Sequence, residues 1–194
     1  MYWYFFGLGN PGAEYLMTRH NFGFMVLDAF ASKHRLKFKE DFKTFSAYAK
    51  FKDKAVLIKP LTFMNNSGKA VIAWKKRDNI PVNRIFLIYD DMDLPLGKIK
   101  ILPKGGSGGH KGVQSVIDAL GTKDFPRMRL GIGKPANKDV ISYVLSPFSK
   151  SELEVVKEVI STAVLAIEEI IFSGLQKAMN RVNSLEIAPA PSSP

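Results

Sequence analysis

The chain has 194 residues, enough for one domain to bury a substantial core, and its 46% hydrophobic and 24% charged residues exclude wholesale disorder and collagen-like repetition. With no cysteine, disulfides, thiolate nucleophiles and cysteine-ligated zinc or iron–sulfur clusters are excluded as well. The 28 Lys and Arg against 18 Asp and Glu leave a net charge of +10, a field that attracts polyanions and makes nucleic acid the leading partner over a merely solubilising surface.

Residues 2–8 form an aromatic and apolar run that predicts a buried strand, feeding a loop at 9–12 rich in Gly and Pro. Thr18 is placed to cap a helix in which Phe22, Met25, Val26, Ala29 and Phe30 recur at helical spacing to about His34. Two strands are predicted at 45–51 and 55–58, a helix at 67–77, a buried strand at 84–89 and a half-exposed one at 98–102. A helix at 109–120, a strand at 127–132 and a long amphipathic helix over 149–172 complete the pattern. Strands interleaved with helices predict an α/β fold, and the two adjacent strands in the middle predict a mixed central sheet flanked by helices. A single domain is expected over residues 1–186, with residues 187–194, rich in Pro, Ser and Ala, as a flexible tail. No run approaches the ~20 apolar residues of a membrane span, and the first nine residues lack the basic lead-in of a secretory signal, so the cytoplasm is the expected compartment.

Two motif matches mislead. Gly7-Leu8-Gly9-Asn10-Pro11-Gly12 satisfies the dinucleotide fingerprint, but Pro11 removes a donor and helical spacing resumes only near Phe22, so no helix offers its N-terminus to a pyrophosphate. The segment 105–109 satisfies G-x-S-x-G through Ser107, yet the only later histidine is His110, three residues on, against the order of a serine hydrolase elbow. A glycine loop exposing backbone N–H groups to phosphate beside Lys104 and Lys111 is the more economical reading.

Of the three histidines, His34 reads as ordinary surface. His20 lies near the mouth of the first strand, while Asp90, Asp91 and Asp93 lie at the exit of the strand at 84–89; ligands of α/β sheets collect at such carboxyl ends. A His–Asp pair there suits a general base, because the carboxylate fixes one ring N–H and leaves the other nitrogen free to take a proton. A capping histidine beside a solvated acidic turn, or a metal held by the aspartates with His20 and His110, are the other readings these residues allow. Asn10 and Asn65 sit in turn-forming loops; facing one crevice, their amides would suit a peptide carbonyl or a water, with Phe63 and Met64 as apolar walls.

These pieces, together with Thr18-Arg19-His20-Asn21, Thr62 through Gly68, Asp90 through Gly97, Gly108-Gly109-His110-Lys111-Gly112 and Arg129 through Gly133, closely resemble bacterial peptidyl-tRNA hydrolases from about Phe6 to Asn183. The resemblance implies a monomeric α/β enzyme without metal or organic cofactor that hydrolyses the ester joining a peptide to tRNA. It implies His20 as catalytic base, Asp90 as its stabiliser, and Asn10 and Asn65 as selecting and orienting the blocked substrate, with Tyr15 and Phe63 in contact with it. His110 and Lys111 join the expected substrate-binding set, and Lys100, Lys104 and Arg129 the expected tRNA surface. One position departs: the family usually carries asparagine where Lys111 stands, and lysine can grip a phosphate but cannot accept a proton from an attacking water. A nonenzymatic RNA-binding relative of the same fold is the alternative that this departure keeps open.

Overall fold

The computed structural model describes residues 2–137 and 139–187. Seven strands, β1 (Trp3–Gly7), β2 (Lys39–Asp41), β3 (Ser46–Phe51), β4 (Ala55–Pro60), β5 (Ile85–Asp91), β6 (Ile99–Leu102) and β7 (Arg127–Gly131), form one sheet in the order β2-β3-β4-β1-β5-β7-β6. The inner four are parallel, while β2, β3 and β6 pair antiparallel at the two sides, so the expected mixed sheet is found. The parallel strands β1, β4 and β5 read as near-continuous apolar runs because both faces are covered.

One face carries α1 (Phe22–Lys33), α5 (Leu153–Ser173) and α6 (Leu175–Val182), packed through Phe22, Val26, Leu27, Phe30, Val156, Val159 and Ile167 against Phe5, Leu57, Phe86 and Ile88. The other carries α2 (Ser67–Asp78) and α3 (Lys111–Leu120), whose Val71, Trp74, Val113 and Val116 pack on Phe6, Ile58, Leu87 and Tyr89. A five-residue helix, α4 (Val140–Val144), stands beside the carboxyl end of the sheet. Glycine allows the layers to close on the strands: a Cβ on Gly23 of α1 would lie 2.3 Å from the Ile88 carbonyl oxygen. No described helix is long and apolar enough to cross a membrane.

Two expectations need correction. Thr18 does not cap α1; its hydroxyl donates to the Tyr15 carbonyl at 2.8 Å, and a 3-10 turn, Arg19–Asn21, precedes the helix. The tail's first residue, Ile187, is tied down by its N–H donating to the Gly97 carbonyl at 3.0 Å, while residues 188–194 lie outside the described residues.

Candidate active site

The connections out of β1, β4 and β5 open at one end of the sheet. Chain from β1 returns through α1 and β2 to β4 on one side, then crosses by α2 to β5 on the other, so a crevice forms where the order reverses. The Leu8 N–H donates to the Ile88 carbonyl at 3.0 Å, extending the β1–β5 ladder and setting Asn10 beside Asp90. The resulting cleft, about 460 Å³, is lined by Asn10, His20, Phe63, Met64, Asn65, Asp90, His110 and Lys111, with Val140, Ile141, Val144 and Leu145 opposite.

At its floor, Asp90, only 2% exposed, joins two imidazoles. Its Oδ2 lies 2.8 Å from His20 Nδ1 and its Oδ1 lies 3.0 Å from His110 Nε2. The tautomers follow from the surroundings. His110 Nδ1 accepts the N–H groups of Gly112 and Val113 at 3.1 and 3.2 Å, capping α3, so the proton of a neutral His110 sits on Nε2 and donates to Asp90. His20 likewise donates from Nδ1, leaving Nε2 without a partner among the described residues.

Burial alone would raise the pKa of Asp90, but the charges and hydrogen bonds of the two histidines outweigh it and hold the carboxyl well below the ordinary range. For His20, burial pulls downward and Lys111 does so weakly, yet the charge and hydrogen bond of Asp90 prevail and leave the imidazole more basic than usual. The arrangement is an ionised carboxylate beneath a base of raised pKa, with one ring nitrogen toward the cleft.

Asn10 is equally constrained. Its backbone exchanges two hydrogen bonds with the Asn21 amide at 2.8 and 2.9 Å, and its Oδ1 accepts from the Met64 N–H at 2.7 Å. The Nδ2 donor is therefore the end left to face the cleft. Asn65 is exposed on the 3-10 turn Met64–Asn66 beside Phe63, whose ring is 51% exposed. Tyr15 stands outside the lining and meets the Phe63 ring edge-on at 6.4 Å.

The remaining expected residues fall on a surface next to the cleft. Lys100 of β6 and Arg129 of β7 are register partners facing away from the core formed by Ile99, Ile101, Met128 and Leu130. Lys104 and Lys111 are exposed on either side of the glycine loop, and Arg129 is already paired with Asp91. Ser107 lines the cleft, but its hydroxyl only accepts the Gly109 N–H at 3.3 Å, and no imidazole bonds it, so the serine route lacks a base. His34 is not ordinary surface: it is half-buried against Phe30 and Phe51 and pairs with Glu168, contributing nothing to the cleft.

His20, Asp90 and His110 also form the one His and carboxylate cluster among the described residues compact enough to hold a cation, although their facing atoms already satisfy one another. Sequence reasoning missed the apolar wall from α4 and the link from His110 to Asp90. The wall has too few residues to show a helical period, and the link depends on loop conformation.

A family model described as Peptidyl-tRNA hydrolase matches residues 4–190. A peptidyl-tRNA hydrolase of Thermodesulfovibrio yellowstonii is 51% identical over 183 residues, 92% of this chain and 97% of that one. One from Fervidobacterium nodosum is 47% identical over 183 residues, covering 94% and 96%. The crystal structure of peptidyl-tRNA hydrolase from Acinetobacter baumannii superposes with a TM-score of 0.90 at 31% identity, covering 96% of this chain and 97% of the other.

Proposed function

The chain belongs to the peptidyl-tRNA hydrolase family, and from that premise we propose how its cleft hydrolyses the ester between peptide and tRNA. His20 Nε2 takes a proton from water as the oxygen adds to the ester carbonyl carbon, and the developing oxyanion accepts a hydrogen bond from Asn10 Nδ2. Collapse breaks the bond to the tRNA ribose oxygen, which takes the proton from His20, leaving free tRNA and a peptide carboxylic acid that gives its remaining proton to solvent. Asp90 stays ionised throughout and stabilises the imidazolium; His110, donating from Nε2 to its other oxygen, keeps it oriented.

The observation that carries this reading is the double engagement of Asp90, which leaves one imidazole nitrogen of His20 open to the cleft that Asn10, its Oδ1 held by the Met64 N–H, also lines. Asn65 and Phe63 flank the peptide, Tyr15 supports Phe63, and a neutral amide at Asn10 favours a blocked peptide over a free α-ammonium, which would be poorly desolvated there. Lys100, Lys104, Lys111 and Arg129 receive the tRNA phosphates. The scheme needs no metal or organic cofactor and no second subunit, and the cytoplasm, where peptidyl-tRNA arises, is the proposed compartment.

The test is single-turnover cleavage of N-acetyl-aminoacyl-tRNA in the presence of a chelator. Wild-type protein is expected to release the acyl group, and His20→Ala to do so about 10²–10⁴-fold more slowly while still binding tRNA. A variant within threefold of wild type would remove His20 from the mechanism. Binding without release by the wild-type protein would favour the nonenzymatic RNA-binding relative.

A further inference from the structure

Arg19 precedes His20 directly, yet its guanidinium turns away from the cleft. Buried to 8% exposure, it reaches the chain leaving α4: Nη1 donates to the carbonyls of Tyr143, Ser146 and Pro147 at 3.3, 3.4 and 3.2 Å. Nη2 pairs with Glu152 at 2.8 Å, and the guanidinium carbon stands 4.2 Å over the Tyr143 ring, whose hydroxyl donates to the Ile132 carbonyl. The backbone joins in, with the Arg19 N–H on the Ser146 carbonyl at 3.0 Å and the Phe148 N–H on that of Met17 at 3.3 Å.

The segment so tied needs tying. A helix of five residues does not persist alone, and of the four side chains it sends to the cleft only Val144 is buried, whereas Val140, Ile141 and Leu145 are 43%, 63% and 38% exposed. Among the described residues, Arg19 Nε is the one buried side-chain polar atom without a hydrogen-bond partner, so the site tolerates an unsatisfied donor in order to place the rest of the fork.

We propose that Arg19 is a positioning residue that fixes this apolar wall relative to His20, so that the enzyme favours apolar side chains on the peptide residue esterified to tRNA. The amide side of the cleft grips the peptide backbone; the facing wall is apolar, and beyond the packing of Val144 and Tyr143 on the core it is placed by Arg19. The proposal rests on the hydrolytic reading above.

The experiment compares N-acetyl-leucyl-tRNA with N-acetyl-glycyl-tRNA for the wild type, Arg19→Gln, Arg19→Lys and Glu152→Gln. For Arg19→Gln, KM is expected to rise about tenfold on the leucyl substrate and less than threefold on the glycyl one, with kcat within threefold on both. Arg19→Lys should recover part of the leucyl preference, and Glu152→Gln should shift KM about threefold in the same selective way, deciding the matter if Arg19→Gln does not fold. Amide exchange across residues 140–146 should quicken at least tenfold in Arg19→Gln. Equal KM changes on both substrates, or unchanged exchange, would overturn the role of Arg19 alone, whereas a wild type that hydrolyses neither substrate would overturn the hydrolytic reading beneath it.

Discussion

The proton that His20 shares with its surroundings ties activity and stability to pH with opposite signs. Its raised pKa means that its pairing with Asp90 stabilises the fold fully below the unfolded value of about 6.5 and that this contribution is lost as pH rises through the higher folded value. On the proposed mechanism activity needs the neutral imidazole, so it is expected to climb over that same interval. Asp90 behaves the other way: its contribution is present above the ordinary aspartate value and is lost only as pH falls through its much lower folded value. In mildly acidic solution the enzyme is therefore expected to lose activity reversibly while folded, which kcat/KM and circular dichroism measured together would check. In Asp90→Asn, burial acts on His20 without an opposing charge, so the acid limb should move to lower pH. The plateau should fall on the order of 10²–10⁴-fold, because the two imidazoles donate to different oxygens of Asp90 and the amide turns one of these positions into an NH2 donor. Lys111→Asn removes a cation that lowers the pKa of His20, and its limb should move upward. A profile that shifts the same way in both variants would contradict this account of the pair.

Between residue and domain, the site depends on how closely α1 lies on the sheet. Gly23 meets the Ile88 carbonyl and the Leu8 backbone, and Ile88 lies two residues before Asp90 on the strand, while His20 lies three residues before Gly23. Gly23→Ala forces backbone against backbone. It is predicted to cost about 1–3 kcal/mol in urea unfolding and to lower kcat by more than a neutral surface change does, because it parts His20 from Asp90. Loss of stability with unchanged kcat would show the pair to be independent of this packing. Sequence reading reached the elements that carry a period. Strands β1, β3, β4, β5, β6 and β7 and helices α1, α2, α3 and α5 fall within a few residues of their predicted positions, because apolar runs and helical spacing record burial. The three-residue edge strand β2 and the five-residue α4 are too short to show one. Helix α6 does show one, in Leu175, Ala178, Met179 and Val182, but Gly174 separates it from the long run that dominates that region. At the site, a meeting of His20 with one of Asp90, Asp91 and Asp93 was legible because strand ends collect ligands, and the family resemblance singled out Asp90. The bond from His110 to Asp90 was not, since it depends on a loop with Gly108 and Gly109 at φ of 57° and 85°, whereas Phe63, expected as an apolar wall, does line the cleft, although its neighbours in sequence do not announce its φ of 64°.

At the scale of the whole molecule, the charge of +10 becomes useful through its placement. Lys100 and Arg129 stand side by side on the sheet face turned from the α5 core, and Lys104 and Lys111 continue the basic ridge along the glycine loop to the cleft. Beneath that loop, Arg127 is buried at 1% exposure and holds the carbonyls of Gly106, Lys123 and Phe125, adding a cation with no carboxylate bonded to it among the described residues. A phosphate chain lying on this ridge would release condensed counterions, so affinity should fall steeply and linearly on logarithmic axes as salt rises. With His20→Ala as a non-cleaving binder, Lys100→Ala and Lys104→Ala are each expected to reduce that slope by about one. Arg129→Gln should reduce it by less, since Asp91 already matches its charge. Lys54, exposed on the β3–β4 turn at the opposite end of the sheet, supplies the control: Lys54→Ala removes the same net charge and should leave the slope unchanged. If Lys54→Ala lowered the slope as much as Lys100→Ala, the molecule's overall field rather than this ridge would be what attracts the tRNA.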